Sequence, residues 1–209
     1  MKDKLLAVLK LFFAILLLPV VIGVTASLWQ SLHLTESAVS SAFGWGVVVY
    51  LIQHILLYEP APVYETGNKM TEKTLEFFSP LVKVAGLCIP IFTILTFILY
   101  FLALKIWPWM KEYFSVFVFV GSFTLTMHIV FTANSLKGKK AGWLRENYFF
   151  AIFFIYIINI LIVAGIFCFL TNDFYFVDFV KFGAQKAGAI YTASFKQLFD
   201  VDSRLMHQG

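Results

Sequence analysis

The sequence predicts an all-α integral membrane protein of about five transmembrane helices, with amphipathic interfacial helices beside them. Three observations carry this. Hydrophobic residues make up 60% of the 209 and charged residues 13%, against about a quarter charged in a soluble domain. The 25 phenylalanines bring more apolar surface than one soluble core of this size can hide. Finally, the apolar residues gather into runs of roughly 20, the length that crosses a bilayer as a helix. Runs that are apolar at every position argue against a membrane β-barrel, whose strands alternate, and a helix satisfies its own backbone in lipid. The same composition excludes a soluble domain, a disordered tail and a nucleic-acid-binding module. The net charge of +4 is no nucleic-acid signal, because the basic residues sit in short clusters beside the apolar runs, where they set orientation.

The runs fall in order along residues 1–172, which form the transmembrane domain. The first, Leu11–Leu28, follows Lys2, Lys4 and Lys10. Val24-Thr25-Ala26 would suit a signal peptidase, but the run is read as a retained helix kinked at Pro19. The second, Ala38–Tyr58, carries Ala38, Ala42 and Gly46 on one face, a small-residue stripe suited to helix contact. The third, Val84–Leu104, is expected to kink at Pro90. Tyr113–Ala133 and Tyr148–Leu170 complete the set. With the N-terminus in the cytoplasm, the inner side holds the basic starts of the chain and the Lys137 to Arg145 cluster, and the loop after the first helix holds no Lys or Arg. This predicts N-inside, C-outside, in an inner or plasma membrane.

Two segments outside the spans read as amphipathic. In the long loop, Met70, Thr74, Phe77, Phe78 and Leu81 share a face, as in a surface helix. In residues 173–209, the C-terminal helix and tail, Asp178, Lys181, Gln185, Gly188, Thr192 and Lys196 recur at three- and four-residue steps. Such a helix lies in the interface plane or packs on a partner. Gly183, Ala187 and Gly188 allow close backbone approach, which favours packing.

Polar residues inside spans are functional candidates by default. Those here are Gln53, His54, His128 and Asn159. His54 and His128 fall at similar depth on different helices, an arrangement that suits a haem b or the border of a quinone site, and equally a pair of plain interhelical hydrogen bonds. Asn159 reads as an interhelical donor. No Asp or Glu lies inside a span, which disfavours a proton- or cation-coupled carrier. Cys88 and Cys168 sit in apolar runs with no metal spacing. Glycine-rich phosphate loops and nucleophile elbows are missing as well.

The segment Leu57-Tyr58-Glu59-Pro60-Ala61-Pro62-Val63-Tyr64-Glu65-Thr66-Gly67-Asn68-Lys69-Met70-Thr71-Glu72 resembles a bacterial branch of the site-two-protease-type zinc intramembrane proteases, in which a Tyr-x-Pro run leads into Gly-His-Glu-x-x-His. The stretch from Met127-His128 to Asn159 and the tail from Phe179 to Phe199 are similar too. The zincin motif needs two His one turn apart on the metal and a Glu to activate water. The matching positions here are Asn68, Lys69 and Glu72. Asn is a poor zinc ligand and Lys cannot serve as the carboxylate base, so the resemblance implies a proteolytically dead member with no metal.

These readings converge on a non-catalytic membrane subunit or scaffold without a cofactor, whose partners are other integral membrane proteins and lipid and not nucleic acid. Its expected packing residues are Ala38, Ala42, Gly46, Gly183, Ala187 and Gly188. The alternatives are a redox subunit using His54 and His128 around haem b or a quinone, an intramembrane hydrolase with a site of another kind, and a small-molecule transporter.

Overall fold

The computed structural model describes residues 2–56, 66, 69, 87–137 and 148–206, with side chains between 8 and 199 in those ranges. The element order is α1 (Lys2–Thr35), α2 (Ser37–Leu56), α3 (Ile91–Ile106), a 3-10 turn (Pro108–Tyr113), α4 (Phe114–Lys137), α5 (Tyr148–Leu170) and α6 (Phe176–Met206). No strand occurs among the described residues. The protein is an all-α membrane protein. Val8–Thr35, Ser37–Leu56, Pro108–Leu136 and Tyr148–Leu170 are long and apolar enough to span, while Ile91–Ile106 is apolar but shorter.

The short helix has a physical cause. The sequence suggests one span over Val84–Leu104 with a kink. Instead, Leu87 and Cys88 are helical, Ile89 and Pro90 are not, and α3 starts afresh at Ile91. Proline has no N–H and its ring excludes the carbonyl one turn back, and the residue before it is pushed out of the helical region. Pro19, by contrast, lies inside α1 with helix on both sides. The amphipathic surface helix expected over 70–81 lies outside the described residues.

α1 and α2 meet at Glu36, whose carbonyl accepts from Val39 N–H at 3.1 Å and Ser40 N–H at 3.2 Å. Trp29 reaches back to Gly44, so the two helices form a hairpin. α5 runs beside α1, joining Leu28 and Leu32 to Ile160, Val163, Ala164 and Phe167 in one buried cluster. Phe167 sits at its centre, 5.6 Å from Phe97, 6.1 Å from Phe114 and 5.9 Å from Phe174 between ring centroids. Edge and offset ring contacts of this kind favour one arrangement of an otherwise uniform apolar core.

The sequence leaves open whether α6 lies in the interface plane or packs on a partner. The structure instead lays α6 antiparallel along α1: Ser27 Oγ donates to the Phe179 carbonyl at 2.5 Å, Gly23 faces Gly183 and Ala187, and Tyr191 Oη donates to the Leu16 carbonyl. The contacts step by four residues on α6, at Phe179, Gly183 and Ala187, all buried, and small residues let the backbones meet. The end of α6 therefore returns to the end of the bundle where α1 begins. Only residues 171–175 separate α5 from α6, and a link this short makes consecutive helices antiparallel neighbours.

Trp29, Trp107, Trp109 and Tyr175 are all exposed at the end of the bundle where α6 begins, an aromatic girdle of the kind found at a membrane–water interface. Ser27 lies just inward of it. Removing its hydroxyl in Ser27→Ala deletes the buried interhelical hydrogen bond to the Phe179 carbonyl and is expected to cost about 1 kcal/mol. Denaturant unfolding in detergent micelles reads this directly, and an unchanged midpoint would place α6 elsewhere.

Candidate functional site

The polar residues of the spans converge on the helix break. A continuous helix would direct the Ile91 N–H to the Leu87 carbonyl. Here that N–H turns to Ile89 O at 2.9 Å. The freed carbonyls find donors from other helices. His128 of α4 places Nε2 at 3.2 Å from Leu87 O, and Asn159 of α5 donates Nδ2–H to Cys88 O at 3.3 Å and to Ile155 O at 2.8 Å. Both side chains are buried, Asn159 completely. In lipid a bare carbonyl has no water to turn to, so these two residues permit the break to exist.

This geometry also defines the histidines. A carbonyl oxygen only accepts, so His128 Nε2 carries its hydrogen and presents no lone pair to a metal. His54 of α2 lies elsewhere in the α2–α4 interface. Its ring stacks on Tyr50 with centroids 5.9 Å apart and meets the edge of Phe131 at 6.4 Å. Its Nδ1 is buried with no hydrogen-bond partner among the described residues. The structure thus sets the two histidines against different neighbours, His128 at the break before α3 and His54 between α2 and α4. Among the described residues no group of three or more His, Cys, Asp or Glu is arranged to hold a metal ion. Asn68 and Glu72 of the degenerate motif lie outside the described residues, and Lys69 is exposed.

The small-residue stripes do different work from what the sequence suggests. Gly46 is buried, and a Cβ there would meet Ser122 Oγ and Phe119 O of α4. Ala42 is half-buried against the main core, whereas Ala38 is exposed. Gly183 and Ala187 are buried against α1, while Gly188 faces outward with nothing within 4 Å. Gly46, Gly183 and Ala187 are therefore contacts inside this chain. Gly23 of α1, their counterpart, is a packing residue that sequence reasoning missed. A Cβ there would lie 2.5 Å from Gly183 O, and a lone glycine inside an apolar run is the only signal it offers.

Two surfaces remain. An open groove of about 360 Å³ between α3 and α5 is lined by Phe97, Phe101, Ile162, Gly165 and Phe169, a lining suited to a lipid chain rather than a polar substrate. The other is the outward face of α6, where Asp178, Lys181, Gln185, Gly188, Thr192 and Lys196 are all exposed. No family model, curated protein or solved structure matches this chain.

Proposed function

We propose that this chain is a non-catalytic integral membrane subunit or scaffold that packs against other membrane-embedded proteins. The observation that carries this reading is the use made of His128 and Asn159. The two best-buried polar candidates for chemistry are spent on the backbone carbonyls of Leu87 and Cys88, so their role is to shape the bundle. The degenerate Asn68-Lys69-Glu72 segment agrees with a pseudoprotease, a chain that keeps a membrane scaffold without its hydrolytic groups. In this reading the protein sits in an inner or plasma membrane with both ends cytoplasmic. The return of α6 along α1 adds Lys196 and Arg204 to the basic side set by Lys2, Lys4 and Lys10, in the sense of the positive-inside rule.

The test is gentle extraction from the native membrane followed by identification of what travels with the chain. A stoichiometric complex with another integral membrane protein is expected. A chain that travels alone, or only with copies of itself, would overturn the subunit reading.

A further inference from the structure

We propose that the groove between α3 and α5 binds one anionic phospholipid, with an acyl chain along the groove and the phosphate on Lys105 at its outer end. The groove has two walls that run side by side. Ile94 to Phe101 on α3 and Ile162 to Phe169 on α5 line it, and seven residues give each wall a length of about 10 Å. Phe97 meets Phe167 with ring centroids 5.6 Å apart, and Phe101 meets Phe169 at 5.5 Å, so aromatic rings bridge the two helices. Gly165 opens the α5 wall further, since nothing lies within 4 Å of a Cβ there.

A hydrocarbon chain suits this lining, and the outer end of the groove selects the headgroup. Lys105 lies one turn beyond Phe101 on α3, and its ammonium sits 4.8 Å from the centroid of the Phe101 ring. Phe101 is part of the groove wall, so the charge stands at the groove's mouth. Lys105 is exposed, and among the described residues its ammonium is paired with no carboxylate. An ammonium resting on an aromatic face keeps its hydrogen-bond donors for an anion. Trp107 and Trp109, just further along the chain, belong to the exposed girdle, which sets Lys105 at the level of the headgroups. A lipid with its phosphate there has its chain running inward along the groove.

Charge complementarity chooses among the occupants. An apolar helix of another protein would cover the walls but leave the ammonium without an anion. A zwitterionic lipid brings a cation of its own beside Lys105. An anionic phospholipid satisfies both ends, because its chain meets the apolar walls and its phosphate accepts a charge-assisted hydrogen bond. One basic residue near the membrane surface gives about a fivefold preference for anionic lipid. This site goes beyond the subunit reading and does not depend on it.

The experiment is native mass spectrometry of the full chain in a non-ionic detergent, titrated with dioleoylphosphatidylglycerol or with dioleoylphosphatidylcholine. Phosphatidylglycerol is expected to saturate a tight site at one copy per chain, about fivefold more tightly than phosphatidylcholine. Lys105→Ala should bring it down to the phosphatidylcholine level. Lys181→Ala, which removes the same charge from the outward face of α6, should leave the preference unchanged. Gly165→Phe fills the groove and should weaken both lipids severalfold. Each variant is first required to match the wild type in helix content and elution from a sizing column. Ile98→Trp, on the α3 wall at a side chain 46% exposed, serves where Gly165→Phe does not. Glycerophosphoglycerol and inorganic phosphate carry the charge without the chains and should not displace the lipid. Equal affinity for the two lipids would overturn the proposal, as would a preference that survives Lys105→Ala or binding indifferent to a filled groove. Displacement by the chainless anions would leave only an anion site at Lys105 and overturn it too. So would a photo-crosslinker at position 98 that captures another protein in native membranes and never a lipid. Failure here with another protein still co-extracted removes the lipid site alone, and a chain that holds the lipid but travels without a protein partner removes the subunit reading alone.

Discussion

Gly46→Leu is expected to destabilise the detergent-solubilised protein by about 3 kcal/mol or more, a fall in melting temperature on the order of 10 °C for a chain of this size. The α2–α4 interface is the reason. A Cβ on Gly46 would collide with Ser122 Oγ and Phe119 O and would lie 3.1 Å from Phe123 N. Two of those three atoms are backbone and cannot rotate away. Ser122 Oγ is itself held on the Phe119 carbonyl at 3.0 Å. α2 must therefore move off α4, and the buried cluster of Tyr50, Met127 and Phe131 just beyond opens with it. Leucine is intrinsically the better helix former by up to about 1 kcal/mol, so the loss is net of that gain. Gly165→Ala is the matched control, since nothing lies within 4 Å of a Cβ there, and its melting temperature should stay at or slightly above the wild type. Equal melting of Gly46→Leu and wild type would mean that α2 does not rest on α4.

How legible the molecule was in its sequence varies element by element. α5 stands where its apolar run predicts, because a run without proline or charge gives a helix little choice of ends. α3 does not, although Pro90 marks its run as interrupted. Whether a proline kinks or breaks a helix depends on whether the freed carbonyls find donors, and here the donors come from His128 and Asn159, far along the chain. Composition shows that such residues are buried but not what they face. The same gap explains the histidines, whose directions the sequence does not reveal. α6 was legible as an amphipathic helix with one small-residue stripe and one polar stripe. Which stripe meets α1 follows from Gly23, and where the helix goes follows from the five residues that separate it from α5, a constraint stronger than its polarity. Of the small residues of α2 and α6, Gly46, Gly183 and Ala187 pack within the chain, while Ala38 and Gly188 face outward.

The second large effect is expected at the helix break itself. Asn159→Leu removes the donor to Cys88 O and His128→Leu removes the donor to Leu87 O. Each leaves a buried carbonyl unmatched, at about 1–3 kcal/mol. The two residues serve adjacent carbonyls of one short segment, so their effects should couple. Once one carbonyl has pulled the segment away, the second donor has less left to hold, and the double variant should lose less than the sum of the singles. Leucine at 159 keeps the branching and heavy-atom count of asparagine, although its methyl groups are bulkier than the amide and add some overpacking. His128→Gln is the informative companion, because its amide can still donate toward Leu87 and should recover part of the loss. Thermal unfolding of the four proteins in one detergent gives the cycle. Protease accessibility of the segment before Pro90 gives an independent readout, expected to rise in both singles. Strict additivity with unchanged accessibility would mean that His128 and Asn159 act at separate places, and the account of a break held open by two polar donors would then fail.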